Sequence, residues 1–254
     1  PYNVAIGLGR LGAKVSIATS LSHDLDGQRF KAALEADGVD LSCVGIVNKP
    51  SPTALVEEGT KESGPRYVFT LSGTAFDEPA PLPLPWSDDL AHIHAGSIAA
   101  ILGPMAHSVL DAFAAARGKR TTSYDPNIRP MITPDRDKTR SDVEARVALA
   151  DIVKASEEDL EWLYPDHAPH ESILNWLALG PRLMILTRGG KGAEAFTAKD
   201  HLIVPAPAIT VGDTVGAGDS LMSALLFAME RDGALGATPV AWTQSAIGKW
   251  LSFA

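Results

Sequence analysis

The chain has 254 residues, 45% of them apolar, a single cysteine and a formal net charge of −9. That length can bury a sizeable core, and an acidic balance with no sustained Lys/Arg stripe argues against a nucleic-acid partner. The lone Cys43 rules out disulfides and zinc–cysteine sites within the chain and suits a reducing, cytoplasmic setting.

In chain order, Val4, Leu8 and Leu11 at helical spacing predict a helix over 3–11, with Gly12 just past its end. A short strand is expected over 15–18 and a helix over 30–37, closed by Gly38. Three β-rich pieces follow, at 44–47, 54–57 and 67–71. Lys49-Pro50-Ser51-Pro52 separates the first two, and a turn ending in Gly64-Pro65 separates the last two. They read as an antiparallel flap, and the Pro-rich stretch 79–85 returns the chain to the main body. The most apolar stretch, 94–106, is too short and too interrupted by Gly96, Gly103 and Pro104 to span a bilayer, so no membrane partner is expected.

From Ala91 strands and helices alternate. Strands are expected near Ile93, 121–125, 152–154 and 183–187, with helices over 104–117, 142–150, 157–163 and 172–178 among them. A hairpin-like stretch to Val204 precedes a helix over 217–230. Such alternation implies an α/β fold with a mostly parallel central sheet and helices on both faces, its active site at the carboxyl ends of the strands. The chain starts at Pro1 without an initiator methionine and stops at Ala254 inside an apolar helical pattern, so it reads as an excerpt of a longer protein.

The run Val211-Gly212-Asp213-Thr214-Val215-Gly216-Ala217-Gly218-Asp219-Ser220 feeds directly into that last helix. Unpaired N–H groups and the positive end of the helix dipole make such a junction an anion cradle, and Asp219 stands in it as a candidate base. The pair suggests phosphoryl transfer to a hydroxyl. Gly7-Leu8-Gly9-Arg10-Leu11-Gly12 matches the dinucleotide pattern letter for letter, but its helix precedes the glycines when the motif requires it to follow them. Gly189-Gly190-Lys191-Gly192 imitates part of a phosphate-binding loop without the Ser or Thr that would hold Mg²⁺. His92 and His94 share a strand face, but with no third ligand nearby they read as core or hydrogen-bonded residues.

The full Asp213–Ser220 string resembles the signature of the ribokinase-like (PfkB-type) carbohydrate kinases, closest in motifs to bacterial fructokinases, and the likeness extends over essentially the whole chain. It implies a kinase domain formed by 1–39 and 80–254, with 40–79 as a small β lid that closes over the sugar and also offers a homodimer contact. Asp219 would be the base, with Gly216, Ala217 and Gly218 giving backbone N–H groups to the transferred phosphoryl. Asn3 resembles the family asparagine that binds a sugar hydroxyl, though an N-cap suits it equally. Asp125, Asn127 and Arg129 resemble the family's Asp-Pro-Asn-x-Arg loop at the substrate, though Asp-Pro-Asn is also a common turn.

Thr187, Arg188, Gly189 and Gly192 match the nucleotide segment Thr-x-Gly-x-x-Gly, and the resemblance also implies cofactor-binding roles for Asp213, which would shape its loop, and Thr214. Ser156 and Asp159 replace the family's Asn-x-x-Glu. Ser156 would meet the nucleotide, and Asp159 or Glu158 would hold Mg²⁺ through water, while an N-cap with acids in the first turn explains the same residues. The cofactors implied are ATP, Mg²⁺ and a monovalent cation such as K⁺ near Asp213. Fructose is the preferred sugar. The alternatives are a kinase for 2-keto-3-deoxygluconate or another sugar acid, and a non-catalytic sugar or nucleotide sensor on the same fold.

Overall fold

The structure, a computed structural model, describes residues 1–57, 66–82, 86–210 and 212–254. Helix α1 (Tyr2–Arg10), strand β1 (Thr19–Ser22), helix α2 (Leu25–Ala36) and strand β2 (Val44–Val47) open the chain, followed by β3 (Thr53–Glu57) and β4 (Arg66–Thr70). The main body runs β5 (His92–Gly96), α3 (Met105–Ala116), β6 (Thr121–Asp125), α4 (Arg136–Val147), β7 (Ile152–Ser156), α5 (Glu157–Leu163), α6 (Pro169–Leu177) and β8 (Leu183–Thr187). Strands β9 (Ala193–Phe196) and β10 (His201–Val204) and helices α7 (Ala217–Arg231) and α8 (Gln244–Phe253) complete it.

Six strands form one sheet in the order β10-β9-β8-β7-β6-β5. Strands β5 to β8 run parallel, while β9 and β10 turn back antiparallel at one edge. Period-two alternation divides the core between the sheet's faces. On β8, Met184 and Leu186 pack with Phe113, Val147, Leu160 and Trp176 of α3 to α6. Leu183 and Ile185 of the same strand face Val4 of α1, Met222 and Leu225 of α7 and Trp250 of α8. Strands buried on both sides explain the near-continuous apolar runs of the sequence.

The β-rich pieces do not form one antiparallel flap. β2 pairs in parallel with β1, Thr19 opposite Val44, in a separate two-stranded sheet, and only β3 and β4 form an antiparallel pair. The partner of β2 lies before α2 in sequence, a non-local pairing that local turn signals do not encode. The strand expected over 15–18 is reduced to a single bridge, Ser16 to Asp40, and the ladder begins four residues later than expected, at Thr19. Helix α2 starts five residues before Phe30, capped by Asp24, whose side chain accepts from the Gly27 N–H. The flap's turn, including Gly64-Pro65, and residues 83–85 of the Pro-rich connection lie outside the described residues.

The glycines of the false dinucleotide motif lie inside and just beyond α1, where they serve packing. A Cβ on Gly7 would stand 2.3 Å from Ser223 Oγ of α7, so glycine lets the two helices meet closely. That contact brings the start of α1 beside the start of α7.

Candidate active site

Each parallel strand delivers one group of residues at its carboxyl end, and all but the β5 group are sequence-predicted. From the β5 edge inward these are Gly96 and Ser97, then Asp125 to Arg129, then Ser156 to Asp159, then Thr187 to Gly192. Helix α7 begins against this end of the sheet: a Cβ on Gly218 would stand 3.1 Å from Lys154 Nζ of β7. His94, Gly96, Ser97, Asp125, Asn127 and Asp219 line one hollow.

Asn3 Nδ2 donates to Asp219 Oδ2 at 2.8 Å, tying the first turn of α1 to the first turn of α7. Gly216, in the left-handed region at φ 78°, caps α7 without a side-chain hydrogen bond. The Ser220 N–H makes an i→i−4 bond to the Gly216 carbonyl at 2.8 Å, so the N–H groups of Gly218 and Asp219 precede it at the open helix end. The Ala217 N–H is instead turned to the Thr214 carbonyl at 3.1 Å. Asp213 accepts from the Val215 N–H at 2.9 Å and so shapes the loop, while Thr214 is exposed. Val211, at the start of this run, lies outside the described residues.

Sequence reasoning missed Lys154. Its ammonium lies 2.8 Å from Asp125 Oδ2, with both side chains buried. A lysine inside the apolar strand Ile152-Val153-Lys154-Ala155 was the available signal, since a buried charge requires a partner. Burial pushes the Asp125 carboxyl above its ordinary range while Lys154 pulls against it, and the charges of Asp159 and Asp219 add to the push. Asp125 Oδ1 is buried with no hydrogen-bond partner among the described residues. A buried acceptor in that condition beside a hollow suits a ligand hydroxyl.

Also missed were Gly96, Ser97 and the place of His94 on the hollow. A Cβ on Gly96 would meet the Asp125 carbonyl at 2.6 Å, and Ser97, at φ 59°, donates its N–H to that same carbonyl at 2.8 Å. His94 Nδ1 lies 2.8 Å from Ser123 Oγ, and His92 bridges Thr121 Oγ1 and Ser123 Oγ at 2.9 and 2.7 Å. Both rings are therefore hydrogen-bonded, as the sequence suggested. Burial pushes His92 down to about 3 and His94 well below its ordinary value.

Asn127 occupies the left-handed region at φ 42°, and its Oδ1 accepts from Arg129 Nη1 at 2.6 Å. Arg129 is exposed and folds back over its own loop, accepted also by the Ile128 carbonyl at 2.9 Å. Ser156 and Asp159 form a reciprocal capping box at the start of α5. Asp159 Oδ2 accepts from the Ser156 N–H and Oγ, and Oδ1 accepts from the Ile128 N–H at 2.7 Å. This carboxylate thus ties the 125–129 loop to α5, whereas Glu158 is exposed.

On the neighbouring strand end, Thr187 Oγ1 donates to the Ala155 carbonyl at 3.4 Å. Gly189 and Gly192 carry positive φ values in the turn that joins β8 to β9. Arg188 is held between carboxylates: Nε donates to Glu157 Oε1 at 2.7 Å and Nη1 to Glu194 Oε1. Glu157, another residue sequence reasoning missed, also lies 3.9 Å from Lys191 Nζ.

The model of the pfkB family carbohydrate kinases matches residues 1–238. A fructokinase from Rhizobium leguminosarum bv. trifolii is 34% identical over 239 residues, covering 92% of this chain and 72% of that protein. The crystal structure of a fructokinase from Vibrio cholerae O395, with fructose, ADP and calcium ion bound, is 26% identical with a TM-score of 0.80, over 99% of this chain and 81% of that one. A fructokinase from Xylella fastidiosa with bound ATP shares the fold at 22% identity and a TM-score of 0.85, over 99% of this chain and 80% of its own.

Proposed function

This chain belongs to the pfkB family of carbohydrate kinases and is an ATP-dependent sugar kinase with the ribokinase-like fold, and we propose that it phosphorylates fructose with Asp219 as the base. The observation that carries this reading is the Asn3–Asp219 pair at the hollow that Asp125 also lines, with Asp125 Oδ1 buried and without a partner among the described residues. The sugar would lie over the β5 and β6 ends, held by Asp125 and Asn127. ATP would lie over the β8 end at Thr187, Arg188, Gly189 and Gly192, with Ser156 between. The α7 N-terminus stands between the two, where a γ-phosphoryl group would pass.

In the step proposed, a primary hydroxyl loses its proton to Asp219 while its oxygen bonds to the γ-phosphorus and the bond to ADP breaks. Asn3 holds one Asp219 oxygen and leaves the other for the hydroxyl. The N–H groups of Gly218 and Asp219 face the charge that develops on the phosphoryl oxygens. Mg²⁺ fits best at Glu158, because both Asp159 oxygens are already accepting from protein donors; when bound it supplies neutralisation of phosphate charge. A monovalent cation such as K⁺ near Asp213 belongs to the same proposal.

Fructose is preferred because the relatives above are fructokinases. A sugar acid needs a cation at the hollow, and Arg129 is turned back onto Asn127. The Ser156/Asp159 departure from the family's Asn-x-x-Glu forms a capping box at the start of α5, which supports a structural role for the two residues. Residues 40–79 are proposed as the lid, with β3 and β4 as its hairpin outside the main sheet. A homodimer through that lid is supported by Leu55, 61% exposed on β3. A cytoplasmic location is proposed from the free, buried Cys43.

The test is ADP release from the complete chain with ATP, Mg²⁺ and a panel of sugars. Fructose should stimulate release most. Faster turnover of 2-keto-3-deoxygluconate would overturn the choice of sugar, and no sugar-stimulated release would overturn the catalytic reading.

A further inference from the structure

At the far edge of the sheet, three elements converge on one buried carboxylate. Glu194 of β9 is 1% exposed by side chain, and its Oε2 lies 2.9 Å from His170 Nε2 of α6 and 2.7 Å from His201 Nε2 of β10. All three ligand atoms lie within 4.8 Å of one another. We propose that His170, Glu194 and His201 form a binding site for a borderline transition-metal dication of the zinc type.

The chemistry of the donors selects that class. Two imidazoles and one carboxylate suit zinc and its neighbours, whereas Mg²⁺ and Ca²⁺ prefer oxygen donors throughout. Zinc holds nitrogen and oxygen ligands at about 2.0–2.2 Å, so two ligand atoms on one tetrahedral ion lie about 3.3 Å apart. The two separations from Glu194 Oε2, 2.9 and 2.7 Å, would each open by roughly half an ångström to reach that spacing. Each ring then carries its proton on Nδ1 and turns the Nε2 lone pair to the ion.

The surroundings hold the ligands in place. Phe196 stacks on His201 with centroids 4.3 Å apart and meets His170 edge-on at 5.7 Å. Arg188 donates to the second oxygen of Glu194, which fixes the carboxylate plane as an outer-shell partner does. The two histidine side chains are 43% and 45% exposed, so an ion can enter from solvent and keep a fourth position for water.

The test is zinc titration of tag-free, chelator-stripped protein by calorimetry, with the imidazole resonances followed by NMR. One Zn²⁺ per chain is expected, with the ring signals of His170 and His201 shifting in step. His170→Ala and His201→Ala should each weaken binding at least about tenfold, with unchanged far-UV circular dichroism. Zinc that leaves those two rings unmoved, or that binds the double variant as tightly as the natural chain, overturns the site. So does no uptake at all. The readout is metal uptake alone, so the result does not depend on the kinase reading.

Discussion

Lys154 Nζ and Asp125 Oδ2 stand 2.8 Å apart, with both side chains only 5% exposed, between the middle of β7 and the carboxyl end of β6. Removing one member of such a pair leaves the other charge buried and uncompensated, which costs about 3–5 kcal/mol. Lys154→Met should therefore lower stability by that order in urea unfolding. Pairing it with Asp125→Leu should recover much of the loss, because two apolar groups leave no stranded charge. A Lys154→Met loss under about 1 kcal/mol would mean the pair is solvated.

Asp219→Asn should reduce kcat by about two to four orders of magnitude, the range of general-base contributions. The dissociation constants of sugar and ATP, measured calorimetrically, should change little. Asn3→Ala should give a smaller loss, concentrated in kcat, since it frees Asp219 to rotate without removing it. If Asp219→Asn abolishes binding of both ligands, the residue is holding the α7 terminus together and another group must take the proton.

The gathering of the site residues at the strand ends was largely legible in the sequence, because the alternating elements and their glycine-rich turns are local signals. Asp125, Asn127 and Asp219 come together at one hollow for that reason. Lys154, Ser97 and Glu157 were not legible in the same way. Each acts through a partner distant in sequence: Asp125, the Asp125 carbonyl and Arg188. The parallel pairing of β1 with β2 was missed on the same ground. Asp159 shows the converse, since its Ser-x-x-Asp spacing permitted a cap or a metal carboxylate and only the Ile128 N–H on its second oxygen shows where it is committed.

His92 and His94 give a specific pH dependence. In the unfolded chain each ring titrates near 6.5, whereas burial in the folded chain pushes His92 down to about 3 and His94 well below its ordinary value. Between those values the unfolded state binds the extra proton, so these residues leave stability intact above about pH 6.5 and reduce it progressively as pH falls toward 3. At pH 5 the loss should be on the order of 1–2 kcal/mol per histidine. Urea unfolding at pH 7 and pH 5 measures it, and His92→Gln should flatten the slope. An unchanged slope would assign the acid sensitivity elsewhere.

Gly96→Ala tests the close approach of β5 and β6. Its Cβ would stand 2.6 Å from the Asp125 carbonyl, a backbone atom that cannot swing away. The ends of the two strands must part, costing about 1–3 kcal/mol of stability, and Asp125 moves with them. KM for the sugar should rise more than KM for ATP, because the nucleotide segment lies two strands away. Equal changes in both would show that the strain spreads through the sheet.

Glu158 and Asp159, adjacent in sequence, should separate cleanly. Asp159→Ala keeps the Ser156 N-cap but takes the acceptor from the Ser156 N–H and Oγ, and it leaves the buried Ile128 N–H unpaired at a cost of about 1–3 kcal/mol. It should lower Tm and raise the sugar KM through the loosened 125–129 loop, while the Mg²⁺ concentration for half-maximal rate stays put. Glu158→Gln should do the reverse, sparing Tm and raising the Mg²⁺ requirement severalfold, because the exposed carboxylate is the one left to hold metal-bound water. A shift in Mg²⁺ dependence from Asp159→Ala at unchanged stability would transfer the metal role to Asp159, and the capping geometry would then have to open when the nucleotide binds.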